Sequence, residues 1–292
     1  MMIVIDGKRV SDEVSHTLRP RIAELKQANI TPGLGVIIVG NKIESRTYVN
    51  MKKKRCESLG INFFLKELPE DVTQSELESH ISDYNIDNKI HGILVQLPLP
   101  DHINKDTLFE KISIRKDVDA FHPYNAGLLS KNNHPPFIPC TPKGCLTLLD
   151  FYDINVSGKN ITIVGASNLV GLPLSLLLLH RGATVTICHI LTKNVKEMTK
   201  NADIVFVCCG SPHLLKKDWV KKDVIVIDIG INKINCPDSN KGYKLVGDVD
   251  FDNVKDIASY ITPVPGGVGP MTIASLVTQV VESAEYVSMH QS

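Results

Sequence analysis

Short apolar runs rich in β-branched residues alternate along the chain with longer stretches whose apolar positions recur every three or four residues. In the first half, residues 34–39, 62–68 and 91–97 read as strands. Residues 45–60 read as a helix that stops at Gly60, and residues 74–84 as a polar surface helix. Upstream, Ser11 is placed to cap a helix with Asp12 and Glu13 in its first turn and Val14, Leu18, Ile22 and Leu25 on its apolar face. Strand alternating with helix predicts parallel βαβ units.

The rhythm breaks over residues 116–142, where Pro123, Asn125, Pro135, Pro136 and Pro139 favour loops and predict an interdomain connection. Thr141 and Pro142 then open a helix through Cys145, Leu148 and Leu149. Strands at 161–164, 183–188, 203–207 and 224–229 follow, with helices between them, and a closing amphipathic helix over 271–287 carries Ile273, Leu276, Val277, Val280, Val281 and Ala284 on one face. The fold class is α/β with two domains and a cleft between them. An N-terminal α/β domain spans 1–140, with the C-terminal helix 271–292 packing back on it, and a Rossmann-like doubly wound parallel sheet spans 141–270.

One turn carries chemistry. Residues 165–173, Gly-Ala-Ser-Asn-Leu-Val-Gly-Leu-Pro, join the strand at 161–164 to an apolar helix, a geometry that aims backbone N–H groups at an anion. With only Gly165 and Gly171 in place, the turn alone fits an ordinary βα connection equally well. Tyr48 and Lys52 lie four apart on one helix and project together, although Lys52 to Arg55 also reads as a solvated basic face. Gln96 ends the third strand, where parallel sheets meet their ligands.

Composition narrows the class. The 292 residues allow two modest cores, and 32 basic against 32 acidic residues leave no electrostatic footprint of a nucleic-acid binder. Seven scattered cysteines argue for a reducing cytosol, no metal site is expected, and Cys208 and Cys209 read as strand core. No apolar run is long enough for a signal-peptide core or a bilayer span, so a cytoplasmic protein without a membrane partner is expected.

The assembled motifs resemble the bifunctional methylenetetrahydrofolate dehydrogenase/methenyltetrahydrofolate cyclohydrolase (FolD) family through both halves. The likeness rests on Ser45, Tyr48, Lys52 and Lys54, on Val-Gln-Leu-Pro-Leu-Pro at 95–100, and on Lys116-Asp117-Val118-Asp119. It continues through Pro139-Cys140-Thr141-Pro142, Gly158-Lys159, Gly165 with Ser167, Val170 and Gly171, Gly230-Ile231-Asn232, and residues 262–272. The resemblance implies two activities of one-carbon metabolism, feeding purine biosynthesis. These are oxidation of 5,10-methylenetetrahydrofolate to the methenyl form with NADP, and hydrolysis of that form to 10-formyltetrahydrofolate.

It also implies roles. Lys52 would be the catalytic amine, Gln96 would hold and tune it, and Tyr48 would stack on the aminobenzoate of folate in the cleft between domains. Asp119 would accept the pterin donors, with Ser45, Pro265, Gly266 and Gly267 bordering the substrate. Gly165, Ala166, Ser167, Val170 and Ile190 would meet the dinucleotide, as would Gly210, Gly230, Ile231 and Thr272. A homodimer is implied as well.

The departures bear on the cofactor. Ala166 stands where the family usually has Arg, and Ile190 and Leu191 follow His189 where Ser or Arg is common, so the usual partners of a 2′-phosphate are missing. No Asp or Glu replaces them to select NAD, and Lys193 reads as a solvated loop residue. NADP with NAD possible is therefore expected, with reduced NADP preference. Ala120 replaces a usual glycine and Glu44 a usual alanine. The competing readings are a cyclohydrolase with a weak or NAD-shifted dehydrogenase step, and a nonenzymatic folate-binding protein.

Overall fold

The computed structural model describes residues 2–237, 239 and 242–290. In chain order the elements begin β1 (Ile3–Val4), α1 (Gly7–Gln27), β2 (Gly33–Val39), α2 (Ile43–Leu59), β3 (Asn62–Leu68), α3 (Gln74–Ile86) and β4 (Gly92–Val95). Next come α4 (Lys105–Phe109), α5 (Pro123–Ser130), α6 (Cys140–Phe151), β5 (Asn160–Val164), α7 (Gly171–His180), β6 (Thr184–Cys188), α8 (Val195–Asn201) and β7 (Ile204–Val207). The chain ends with β8 (Ile225–Asp228), β9 (Asn232–Asn235), β10 (Tyr243–Val246), α9 (Phe251–Val254), β11 (Tyr260–Ile261) and α10 (Val268–His290).

These elements form two compact units. The three-stranded unit comprises Asp12–Cys140 and residues 273–290, around the parallel sheet β3-β2-β4. Every residue of the central strand β2 is buried, which is why its sequence is an unbroken apolar run and not an alternating one. Leu34, Val36 and Ile38 meet Leu18 and Ile22 of α1, Val49 and Cys56 of α2, and Val277 and Val280 of α10. Ile37 and Val39 face Leu77 and Ile81 of α3 on the opposite side.

The six-stranded unit comprises residues 2–11 and Thr141–Thr272. Its sheet order is β1-β11-β8-β7-β5-β6, parallel throughout. The N-terminal segment therefore belongs here and not with the domain to which the sequence assigned it. Ile3 and Val4 pair with Tyr260 and Ile261, an edge-strand contact that local pattern does not reveal. The antiparallel hairpin β9–β10 was also not legible, since β9 alternates half-buried and exposed residues without an apolar run.

Three local expectations change. The cap of α1 is Asp6, whose Oδ1 accepts the Arg9 N–H at 3.0 Å, and Ser11 lies buried inside the helix. The segment expected as pure loop contains α5, because Pro123 sits in its first turn and His122 Nδ1 accepts the Tyr124 N–H at 3.0 Å. Helix α6 starts at Cys140, one residue before the expected cap. Gly60 does close α2, in the left-handed conformation with φ 71°. Among the described residues no helix is long and apolar enough to cross a membrane, and no cluster of metal-ligating side chains occurs.

Candidate active site

The buried stripe of α2 is Ser45, Val49, Lys52, Cys56 and Leu59, spaced at helical intervals. Lys52 thus rides into the interior on an otherwise uncharged face and is only 8% exposed, while Lys53 and Lys54 stay in solvent. The solvated-face reading fails at Lys52 and at Arg55, which is half-buried and paired with Asp12, and holds for Lys53 and Lys54. Burial lowers the Lys52 pKa, against the opposing pull of Asp119 and the thiols of Cys140 and Cys56.

Gln96 follows β4, and its N–H extends the ladder to the Ile37 carbonyl at 2.8 Å. Its side-chain Nε2 donates to the Leu97 carbonyl at 2.7 Å, which turns Oε1 toward Lys52. The Lys52 amine donates to that oxygen at 2.9 Å. Tyr48, one turn before Lys52, is half-buried, and burial pushes its phenol up, so the hydroxyl stays protonated.

Asp119 lies on the loop before α5. Burial raises its pKa, while Lys52 and the N–H and thiol of Cys140 lower it. Burial therefore moves both members of the Lys52–Asp119 pair toward neutrality. The loop is fixed by Asp117, 1% exposed, which accepts from the N–H groups of Phe121 and His122 and from Asn125 Nδ2 at 2.7 Å. Directly after Asp119, Ala120 adopts φ 58°, the left-handed region that explains the usual glycine here. Lys52, Tyr48, Gln96, Asp119 and Ser45 all belong to the three-stranded unit, whereas Pro265, Gly266 and Gly267 lie in the other, on the loop between β11 and α10.

The six-stranded unit carries the glycine turn. Gly165 has φ 130°, and a Cβ on Gly171 would lie 2.0 Å from the Gly165 carbonyl oxygen, so only glycine lets α7 start this close to β5. Ser167 Oγ accepts the Val170 N–H at 3.2 Å and holds the turn. A cavity of about 510 Å³ opens at the carboxyl ends of β5, β6 and β7, lined by Gly165, Ala166 and Ser167, then Cys188, His189 and Ile190, then Cys208 and Cys209. Its lining includes no lysine or arginine. Ile190 and Leu191 are 98% and 80% exposed on a tight turn in which the Leu191 N–H donates to His189 Nδ1. Strand β7 ends at Val207, which leaves Cys208 half-buried and Cys209 exposed at the cavity and corrects their reading as core.

One hub escaped the sequence. Fully buried Asp248 accepts the N–H groups of Cys209 and Gly210 at 2.8 and 2.9 Å and the Asn232 amide at 2.7 Å. Asp228, 2% exposed, accepts N–H groups of Gly230, Asp248 and Val249, and burial raises its pKa to about 7. Gly210, Gly230 and Asn232 thus meet around two carboxylates. Ile231 is exposed beside them, and the Thr272 hydroxyl lies 3.0 Å from that of Thr141. The Gly247-Asp248-Val249-Asp250 loop was the available signal, but nothing local reveals what its acids accept.

Comparison with known proteins matches both halves of the chain. Residues 5–119 match the family model of the tetrahydrofolate dehydrogenase/cyclohydrolase catalytic domain, and residues 139–288 that of its NAD(P)-binding domain. The chain is 51% identical over 285 residues to the bifunctional protein FolD of Nitratiruptor sp., covering 97% of this chain and 98% of that one. The crystal structure of the bifunctional FolD enzyme from Campylobacter jejuni superposes with a TM-score of 0.94 at 48% identity, covering 98% of this chain and 100% of that one. The Trypanosoma brucei FolD complexed with NADP and an inhibitor gives a TM-score of 0.95 at 37% identity, covering 98% of each chain. The chain belongs to the tetrahydrofolate dehydrogenase/cyclohydrolase family.

Proposed function

We propose that the protein oxidises 5,10-methylenetetrahydrofolate and hydrolyses the resulting methenyl form to 10-formyltetrahydrofolate. The observation that carries the reading is the buried Lys52 amine, held by Gln96 and electrostatically opposed to Asp119. A nicotinamide dinucleotide supplies the acceptor for the hydride that leaves the methylene carbon. The glycine turn fits its pyrophosphate, with Gly165 and Ser167 ahead of the start of α7, and Asp248 holds the N–H of Cys209 on the cavity wall.

In the hydrolytic step, water adds to the cationic methenyl carbon and passes a proton to the neutral Lys52 amine. Opening of the ring then breaks the carbon–N5 bond as the carbinol hydroxyl becomes the formyl carbonyl and releases its proton to solvent, and Lys52 returns the first proton to N5. An unperturbed lysine is almost wholly charged near neutral pH, so its lowered pKa is what makes the amine available. Asp119 accepts the pterin amide and amino donors, Tyr48 stacks on the aminobenzoate ring, and Ser45 lines the substrate.

Relaxed cofactor choice accompanies this reading. Ala166, Ile190 and Leu191 offer no cation to a 2′-phosphate, and no carboxylate selects the free 2′-hydroxyl. The same cavity favours the second reading, a cyclohydrolase with a weak dehydrogenase step. A homodimer is carried over from the family and is checked by sedimentation. Purified protein titrated with NADP and with NAD, with both activities followed, tests the whole. Comparable kcat/KM for the two cofactors supports relaxed choice, a large advantage for NADP refutes it, and folate binding without turnover refutes the enzyme.

A further inference from the structure

Behind Asp119 runs a chain of donors whose direction the geometry fixes. The Ile138 N–H donates to Gln279 Oε1 at 2.8 Å, so the amide nitrogen of Gln279 faces the other way. Its two hydrogens go to the Val118 carbonyl at 2.6 Å and to Cys140 Sγ at 3.5 Å. The Cys140 thiol has one hydrogen and two acceptors in reach, the Val118 carbonyl at 3.2 Å and the Asp119 carboxylate. The Val118 carbonyl has room for the amide and the thiol hydrogen, but a carboxylate is the stronger acceptor, so the thiol hydrogen goes to Asp119. The Cys140 N–H donates to the same carboxylate. Gln279 and Cys140 are 0% and 1% exposed, so water does not compete for the bond between them, while Asp119 itself is half-buried.

Resting on the reading of Asp119 as the carboxylate that receives the substrate, we propose that Cys140 and Gln279 are positioning residues that keep Asp119 ionised and in one orientation. The groups that titrate or carry charge around Asp119 are Lys52 from α2, Cys140 at the start of α6 and Asp117 on its own loop, while α10 contributes the neutral Gln279. Lys52 and the Cys140 donors favour the carboxylate, and Asp117 opposes it.

The test is the pH dependence of cyclohydrolase kcat/KM in C140A, C140S and Q279M. In C140A the acid limb moves up by about half to one pH unit, because the ionised form loses a donor. In C140S it moves below the wild-type position, since a hydroxyl is the stronger donor. Q279M moves the limb in the C140A direction by less, because the freed Val118 carbonyl then competes better for the thiol hydrogen. A packing role alone would leave the limb in place and make C140S as costly as C140A, and either result overturns the proposal. Should C140A not fold, the isosteric C140S decides, and an upward or unmoved limb there overturns it. D119N separates the layers: full activity removes the Asp119 role and the proposal with it. Lost activity in D119N with unmoved limbs in the Cys140 variants overturns the donor chain alone.

Discussion

Replacing Lys52 by methionine should separate folding from catalysis. Methionine keeps the aliphatic volume on the buried stripe of α2, has a helix propensity close to that of lysine, and deletes only the amine. Burial lowers the Lys52 pKa, so folding already disfavours its charge, and removing the amine relieves that penalty. Against this, the Gln96 Oε1 loses a donor at 2.9 Å, a bond of about 1.5–3 kcal/mol when charge-assisted. Gln96 is only half-buried, so water replaces much of that loss. The two effects leave a net change of about 1 kcal/mol or less, or a Tm shift of about 2–4 °C for a chain of this size. Loss of a proton-transfer group instead costs about 10²–10⁴-fold in rate. Cyclohydrolase activity is read from the decay of methenyl absorbance, beside thermal denaturation followed by circular dichroism. Wild-type activity rises with pH through the deprotonation of Lys52, whose pKa burial lowers, as well as through the ionisation of Asp119, and the residual K52M activity keeps only the latter. K52M activity within about threefold of wild type, short of even the lower bound for a proton-transfer group, would refute the proton role, and a collapsed Tm would show the loss to be structural.

Other perturbations follow from the same geometry. G171A places a methyl carbon 2.0 Å from the Gly165 carbonyl oxygen, so it should lower Tm and reduce dinucleotide-dependent activity at least about tenfold; unchanged kinetics would contradict the tight turn. A166R, which restores a guanidinium beside the exposed Ile190 turn, should raise the NADP-to-NAD ratio of kcat/KM by about tenfold or more, and an unchanged ratio would remove Ala166 from cofactor selection. Asp117 and Asp228, each raised by burial to about 7, should titrate near neutrality in carboxyl carbon NMR, and midpoints below 5 would overturn that assignment. Because their folded pKa exceeds the unfolded value, they are neutral-favouring groups whose contribution to stability is full below about pH 4 and is lost as pH rises to about 7. His91, lowered by burial, opposes them over part of that range, and two carboxyls outweigh one imidazole, so urea resistance should fall from pH 5 to 7.5.

Much of this architecture was legible because the relevant physics is local. Strand β3 and the left-handed end of α2 at Gly60 follow from side-chain pattern alone. So does the face shared by Tyr48 and Lys52, but whether Lys52 is wet depends on what surrounds it, Gln96, Asp119 and Cys140, and not on the neighbouring residues in sequence. The Cys140 thiol illustrates the limit. Its sulfur accepts from Gln279, far along the chain, whose own amide is oriented by Ile138. Cys209 misled for a simpler reason: apolar character continues past Val207, although the strand does not. The absent 2′-phosphate partners were visible because the resemblance supplied a pattern to depart from.

The pairing of β1 with β11 joins the two ends of the chain in one sheet. The other unit is no less discontinuous, since Val277, Val280, Val281 and Ala284 of α10 complete the core around Leu34, Val36 and Ile38. The face of the β3-β2-β4 sheet that packs on α1 and α2 cannot close until α10, far along the chain, has been made. Leu34, Val36 and Ile38 must therefore wait, incompletely covered, while the intervening six-stranded unit is synthesised. Truncation of α10 should be felt as aggregation during expression, before any loss of activity can be measured.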